Sequence, residues 1–200
     1  RIRPATRTST VASLAVREWH IWMLVSLCVA LLGYEAVVLT RGYLLPALRH
    51  QTRFIEDYGH YQAAARRFLA DPASLYLAGS ADTLTGFLYP PPSVLIFLPL
   101  SGLGVAAAYT VVSLSTYVVM FAIVMCWIAI MRIEGEPVPR RHQVAFSVLA
   151  MASAPTFLNA VYGQVNPVVL LATLLGLLLA LRGHGRSAGW LLGAAVWAKV

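Results

Sequence analysis

Two long apolar runs decide what this chain can become. Trp19 to Thr40 and Val105 to Met131 each exceed the ~20 residues needed to cross ~30 Å of hydrocarbon. Shorter runs follow at 145–160, 165–181 and from Gly189 onward. A soluble core could not hide them: 59% of the 200 residues are hydrophobic and 12% are charged, against roughly 45–50% and about 25% in soluble domains. The expected fold is an all-α integral membrane protein, a polytopic helical bundle. Disordered and fibrous architectures are excluded.

The net charge of +7 comes from short arginine clusters between the runs. That distribution is a topology signal and argues against a nucleic-acid partner. Residues 1–18 read as a basic cytoplasmic tail carrying Arg1, Arg3, Arg7 and Arg17. The connectors Arg132–His142 and Arg182–Ser187 are also basic, so both are placed in the cytoplasm. One crossing must then lie between Phe87 and Arg132. Leu88–Leu103 is interrupted by Pro90, Pro91 and Pro92 and by Gly102 and Gly104 and is short for a span; were it to cross, every later loop would change side. It is placed at the interface, and 41–104 becomes an outer loop with interfacial helices. Within that loop, Asp57–Leu69 has helical periodicity, with Tyr61, Ala65 and Phe68 on one face. This is the pattern of an amphipathic helix lying on the membrane, stopped by Asp71-Pro72. The chain starts at Arg1 and stops at Val200 inside an apolar run, and is expected to be part of a longer protein.

Few residues offer chemistry. There is no CxxC, HExxH or P-loop, and the five histidines show no ligand spacing, so no metal site and no cofactor are expected. Gly102-Leu-Gly-Val-Ala-Ala107 matches a dinucleotide fingerprint by letter but lacks the strand–helix context. Cys28 and Cys126 sit inside apolar runs and are expected to be packing residues. Asp57 reads either as a helix N-terminal acid or as a general base at the membrane edge. Lys199 lies inside an apolar run, where a lysine costs roughly 2.5–3.5 kcal/mol at the bilayer centre. It serves either as a contact to a lipid phosphate or as a snorkelling side chain. Gln164 and Asn166 flank a helix start with Pro167 behind them. Asn166 is either the cap of that helix or, with Gln164, a binder of sugar hydroxyls. Glu35 reads as a snorkelling acid or a site carboxylate. Gly185, Gly189 and Gly193 form a small-residue ladder suited to helix packing.

Five stretches taken in order carry a resemblance. They are Asp57-Tyr-Gly-His-Tyr61, Leu75-Tyr76, Phe87-Leu-Tyr89-Pro90-Pro91 leading to Leu98-Pro99-Leu100, Gly163-Gln164-Val165-Asn166, and the helix ending in Ala198-Lys199. From about Trp19 to Val200 the chain resembles the GT87 glycosyltransferases, polytopic enzymes of GT-C type found in actinobacteria and other bacteria. The resemblance implies transfer of a sugar from a polyprenyl-phosphate donor to a glycan or glycolipid acceptor, on the extracytoplasmic side of the plasma membrane and without a divalent metal. Mannose in α-1,2 linkage is the expected sugar, and arabinofuranose is the alternative within the family. The resemblance also implies that Asp57 is the catalytic base, that Tyr61, Tyr89, Gln164 and Asn166 contact substrate, and that Lys199 and loop arginines hold the donor phosphate. Gly59-His60 departs from the family, which has more apolar residues after the aspartate. The family's C-terminal half is absent from these residues. Two readings compete: a transporter of lipid-linked saccharide using the same intramembrane lysine, and a structural membrane subunit.

Overall fold

A computed structural model describes residues 8–49, 56–75 and 91–199. Every regular element among the described residues is helical, and none is a strand. Helix α1 (Thr8–Leu39) passes through one π-helical turn, Thr40–Leu44, into α2 (Leu45–Leu48). The Leu45 N–H reaches back to the Thr40 carbonyl. The widening falls one residue before Pro46, whose ring and missing N–H cannot follow a regular α turn. Helix α3 (Glu56–Ala70) ends where Asp71 turns extended and its carboxylate accepts from the Ala73 N–H. Pro91–Ile96 and Leu98–Leu100 wind as short 3-10 turns, as closely spaced prolines allow.

The long span α4 (Val105–Ile133) follows, then α5 (Arg140–Met151) and α6 (Ala154–Tyr162). The continuous run expected at 145–160 is broken. Ser153 caps α6 by accepting from the Thr156 N–H, Pro155 occupies the first turn, and the two helices meet at 44°. An antiparallel hairpin, α7 (Asn166–Leu181) and α8 (Gly185–Lys199), completes the described chain. Helices Glu18–Leu48 and Val105–Ile133 are long and apolar enough to cross a bilayer, and the bent α5–α6 pair adds a third candidate. Leu27, Val118 and Trp190 point outward, as lipid-facing side chains do. The chain is an all-α membrane protein.

The contacts sort the bundle into two ends. At one end Glu18 pairs with Arg141, and Cys126 and Ile130 of α4 meet Leu178 of α7 near the basic connectors. At the other end lies the larger core. There Leu44 and Ala47 join Tyr58, Phe97, Tyr109 and Val161. The apolar face of α3 is buried in this core rather than left to the bilayer, with Tyr58, Tyr61, Ala64 and Ala65 at 5% exposure or less.

The expected glycine ladder faces no partner helix among the described residues. No atom outside its own helix lies within 4 Å of where a Cβ on Gly185, Gly189 or Gly193 would stand. The close approach of α7 to α8 is at Gly176, where a Cβ would meet Leu192 Cγ at 2.8 Å. Cys28 and Cys126 are buried and unpaired.

Candidate functional site

The core end of the bundle gathers the sequence stretches that were far apart in the chain. Helix α6 stops at Gly163, which adopts the left-handed conformation at φ 65°. A side chain there is excluded twice: by that φ, and because a Cβ would stand 2.9 Å from Tyr58 Cβ. The first turn of α3 therefore rests directly on the Gly163–Asn166 turn. Asp57 is the residue before Tyr58, so its backbone is placed at this junction. Its side chain lies outside what the structure describes.

Tyr58 is fully buried, its ring tilted against Tyr109 and edge-on to Phe97. Its hydroxyl has no hydrogen-bond partner among the described residues. Burial pushes its pKa up to about 12, with the nearby Arg66 guanidinium pulling in the opposite direction. Tyr61 stacks on Phe97 with centroids 4.6 Å apart and also belongs to the buried core.

The Gly163 turn is held from α4. The Tyr109 hydroxyl donates to the Val161 carbonyl at 2.6 Å, and Ser113 donates to Ala160 at 2.7 Å. Asn166 does not cap α7. It is the first helical residue, and its amide donates to Asn159 Oδ1 at 3.0 Å and to Gln164 Oε1 at 2.6 Å. Three amide side chains are thereby ordered together. Gln164 also lines a 140 Å³ cavity with Phe97, Thr116 and Val165.

A second cavity, of 280 Å³, lies between Leu95 and Ile96, the start of α7 and the end of α8. Val168 and Ala198 both line it, so the last turn of α8 returns to the same end of the bundle. Lys199 closes that helix, and its side chain lies outside the described residues. Tyr89 lies wholly outside them. Glu35 is buried within α1, and its Oε2 has no hydrogen-bond partner among the described residues.

Sequence reasoning missed Tyr58, Gln62, Arg66 and Asn159. The sequence places Arg66 only beside the apolar face of its helix; in the structure its guanidinium donates to the carbonyls of Ser101 and Leu103, and Gln62 shares the latter. The i,i+4 spacing of Gln62 and Arg66 was the signal available.

A polytopic helical bundle with an amide cluster and two adjoining cavities at one end is the class the geometry defines. The family model for glycosyltransferase family 87 matches residues 87–200. The chain belongs to that family, and it is a membrane glycosyltransferase. No curated protein matches it, and no solved structure does.

Proposed function

We propose that this chain carries the acceptor-activating part of an enzyme that moves a sugar from a polyprenyl-phosphate donor to a glycan or glycolipid, on the extracytoplasmic face of the plasma membrane. Mannose in α-1,2 linkage is the preferred sugar. Asp57 takes the proton from an acceptor hydroxyl as its oxygen attacks the anomeric carbon. The bond from that carbon to the phosphate oxygen breaks, the configuration inverts, and the phosphate leaves with the electron pair. Gln164 and Asn166 orient sugar hydroxyls, Tyr61 and Tyr89 shape the substrate site, and Lys199 attracts the leaving phosphate.

One observation supports this reading above the others. The helix that begins Glu56-Asp57-Tyr58 is seated on the Gly163–Asn166 turn through the Tyr58–Gly163 contact. The backbone of Asp57 and an ordered amide cluster thus lie at one end of a membrane bundle, which supports pairing the two in one site. Family membership favours an enzyme over a transporter.

The test offers polyprenyl-phosphate mannose and a mannoside acceptor to the full-length protein in lipid. Wild type should form product, and Asp57→Asn should lose about 10²–10⁴-fold in turnover while inserting normally. Turnover retained by Asp57→Asn removes Asp57 as base. Transfer seen only with an arabinofuranosyl donor changes the sugar and leaves the mechanism.

A further inference from the structure

Helix α3 is attached to the rest of the protein in two unlike ways. Through Tyr58, Tyr61, Ala64 and Ala65 it makes apolar contacts. These are strong in sum but non-directional, and two alanines offer little to resist sliding or rotation. The other attachment is directional. Arg66 Nε donates to the Ser101 carbonyl at 3.0 Å, and its Nη2 donates to the Leu103 carbonyl at 2.8 Å. Gln62 Nε2 donates to Leu103 at 3.0 Å and to Leu100 at 3.3 Å. The accepting turn is itself braced, since Ser101 Oγ donates to Leu98 at 2.7 Å. These carbonyls stand just before Gly104, where the 3-10 turns end and α4 begins. A guanidinium bonded to two of them makes charge-assisted bonds in a fixed fork.

We propose that Arg66, together with Gln62, is a positioning residue: it fixes the height and rotation of α3 against the start of α4, and so sets where the Asp57 carboxylate stands relative to the Gly163 turn. The proposal rests on the reading of Asp57 as the base. Asp57 precedes Arg66 by nine residues on one helix, or roughly 14 Å along its axis. A rigid helix carries a rotation at one end to the other. Misplacement of a reacting group by about 1 Å costs on the order of 10²-fold in rate.

The experiment uses the full-length protein in lipid nanodiscs, with Arg66→Gln, Arg66→Lys and Gln62→Ala. Arg66→Gln should lower kcat at least tenfold while KM for the lipid-linked donor stays within about twofold. Arg66→Lys keeps the charge and one donor direction, and should regain at least a third of the wild-type kcat. Hydrogen exchange at the amides of Tyr58 to Ala65 should quicken at least tenfold in Arg66→Gln, with α4 and α7 unchanged. Should Arg66→Gln fail to fold, Gln62→Ala, which removes the bonds to Leu100 and Leu103, should lower kcat and quicken exchange in α3 in the same direction, and unchanged values there overturn the proposal.

Unchanged kcat in Arg66→Gln overturns the proposal. So does a loss accompanied by faster exchange throughout the bundle, which marks a purely structural role, and so does a lysine variant no better than glutamine. If wild type transfers no sugar from any lipid-linked donor, the transferase reading fails. The exchange measurement then still decides whether Arg66 orders α3.

Discussion

Tyr58 shows how much one side chain decides here. It joins two sequence motifs through its Cβ contact to Gly163 and fills the space between Phe97 and Tyr109. Its hydroxyl is buried without a partner among the described residues, and an unsatisfied polar group of that kind costs about 1–3 kcal/mol. Tyr58→Phe keeps the ring and should leave the protein as stable or more so near neutral pH. The difference should grow in alkali. The folded-state pKa stands near 12, above the ordinary value of 10.0. The neutral hydroxyl's contribution is therefore complete below about pH 10 and is lost as pH rises from there through about 12. Phenylalanine has no proton to lose. Thermal midpoints of both proteins, taken at intervals from pH 8 to 11, should diverge above pH 10 with the variant higher. Parallel curves would mean that Tyr58 does not ionise from a buried state.

Helix pairing turns on Gly176. Lipid tails are as apolar as leucine, so packing between membrane helices depends on small residues that admit close approach. Alanine at 176 meets Leu192, whose side chain can swing aside, although the Ala188 carbonyl at 3.3 Å limits the room. Valine adds branched bulk that α8 cannot avoid. Gly176→Val should cost about 1–3 kcal/mol and Gly176→Ala less, read as thermal midpoints in detergent. A valine variant as stable as wild type would mean the α7–α8 contact does not depend on close approach.

The same pair of helices shows what the sequence could reveal. The lengths of α4 and α7 were plain from uninterrupted apolar runs, and the α3 period was plain from Tyr61, Ala65 and Phe68. The packing glycine was not. A small-residue ladder on α8 reads alike whichever side its partner lies on. Amphipathicity alone assigns the apolar face of α3 to the membrane, whereas the protein core covers it, because protein and lipid both satisfy such a face. Pro155 inside the 145–160 run carried the information for the α5–α6 break, and Ser153 ahead of it carried the cap. The amide cluster of Asn159, Gln164 and Asn166 needed the left-handed turn at Gly163 before its members could meet. No spacing rule supplies that.

At the scale of the whole molecule, charge and topology agree on an orientation. By sequence position, the tail through Glu18 and the connectors at 132–142 and 182–187 hold nine arginines against three acids. The loop at 41–104 holds five arginines against four acids. The Glu18–Arg141 pair brings the tail's boundary and the first connector to the same end of the bundle. Positive residues are retained on the cytoplasmic side during insertion, so the end with Tyr58, Gly163 and the last turn of α8 should face outward. Cysteine labelling tests this. Cys28 and Cys126 are buried, so replacing both with alanine should leave a quiet background. Single cysteines are then placed at the exposed Ala73, beyond α3, and at the exposed Glu136, between α4 and α5. A membrane-impermeant maleimide on intact cells should label Ala73→Cys, and Glu136→Cys only after permeabilisation. The reverse pattern would put the amide cluster and Asp57 in the cytoplasm, where soluble activated sugars are at hand, and would remove the reason for a lipid-linked donor. Labelling at both positions in intact cells would require an additional crossing between Ala73 and Glu136. The segment from Pro91 to Leu103 would then have to be drawn out across the bilayer, leaving the carbonyls of Leu100, Ser101 and Leu103 without the bonds from Gln62 and Arg66, at a cost of several kcal/mol for each unsatisfied group. That cost is why outward labelling of Ala73 alone is the expected result.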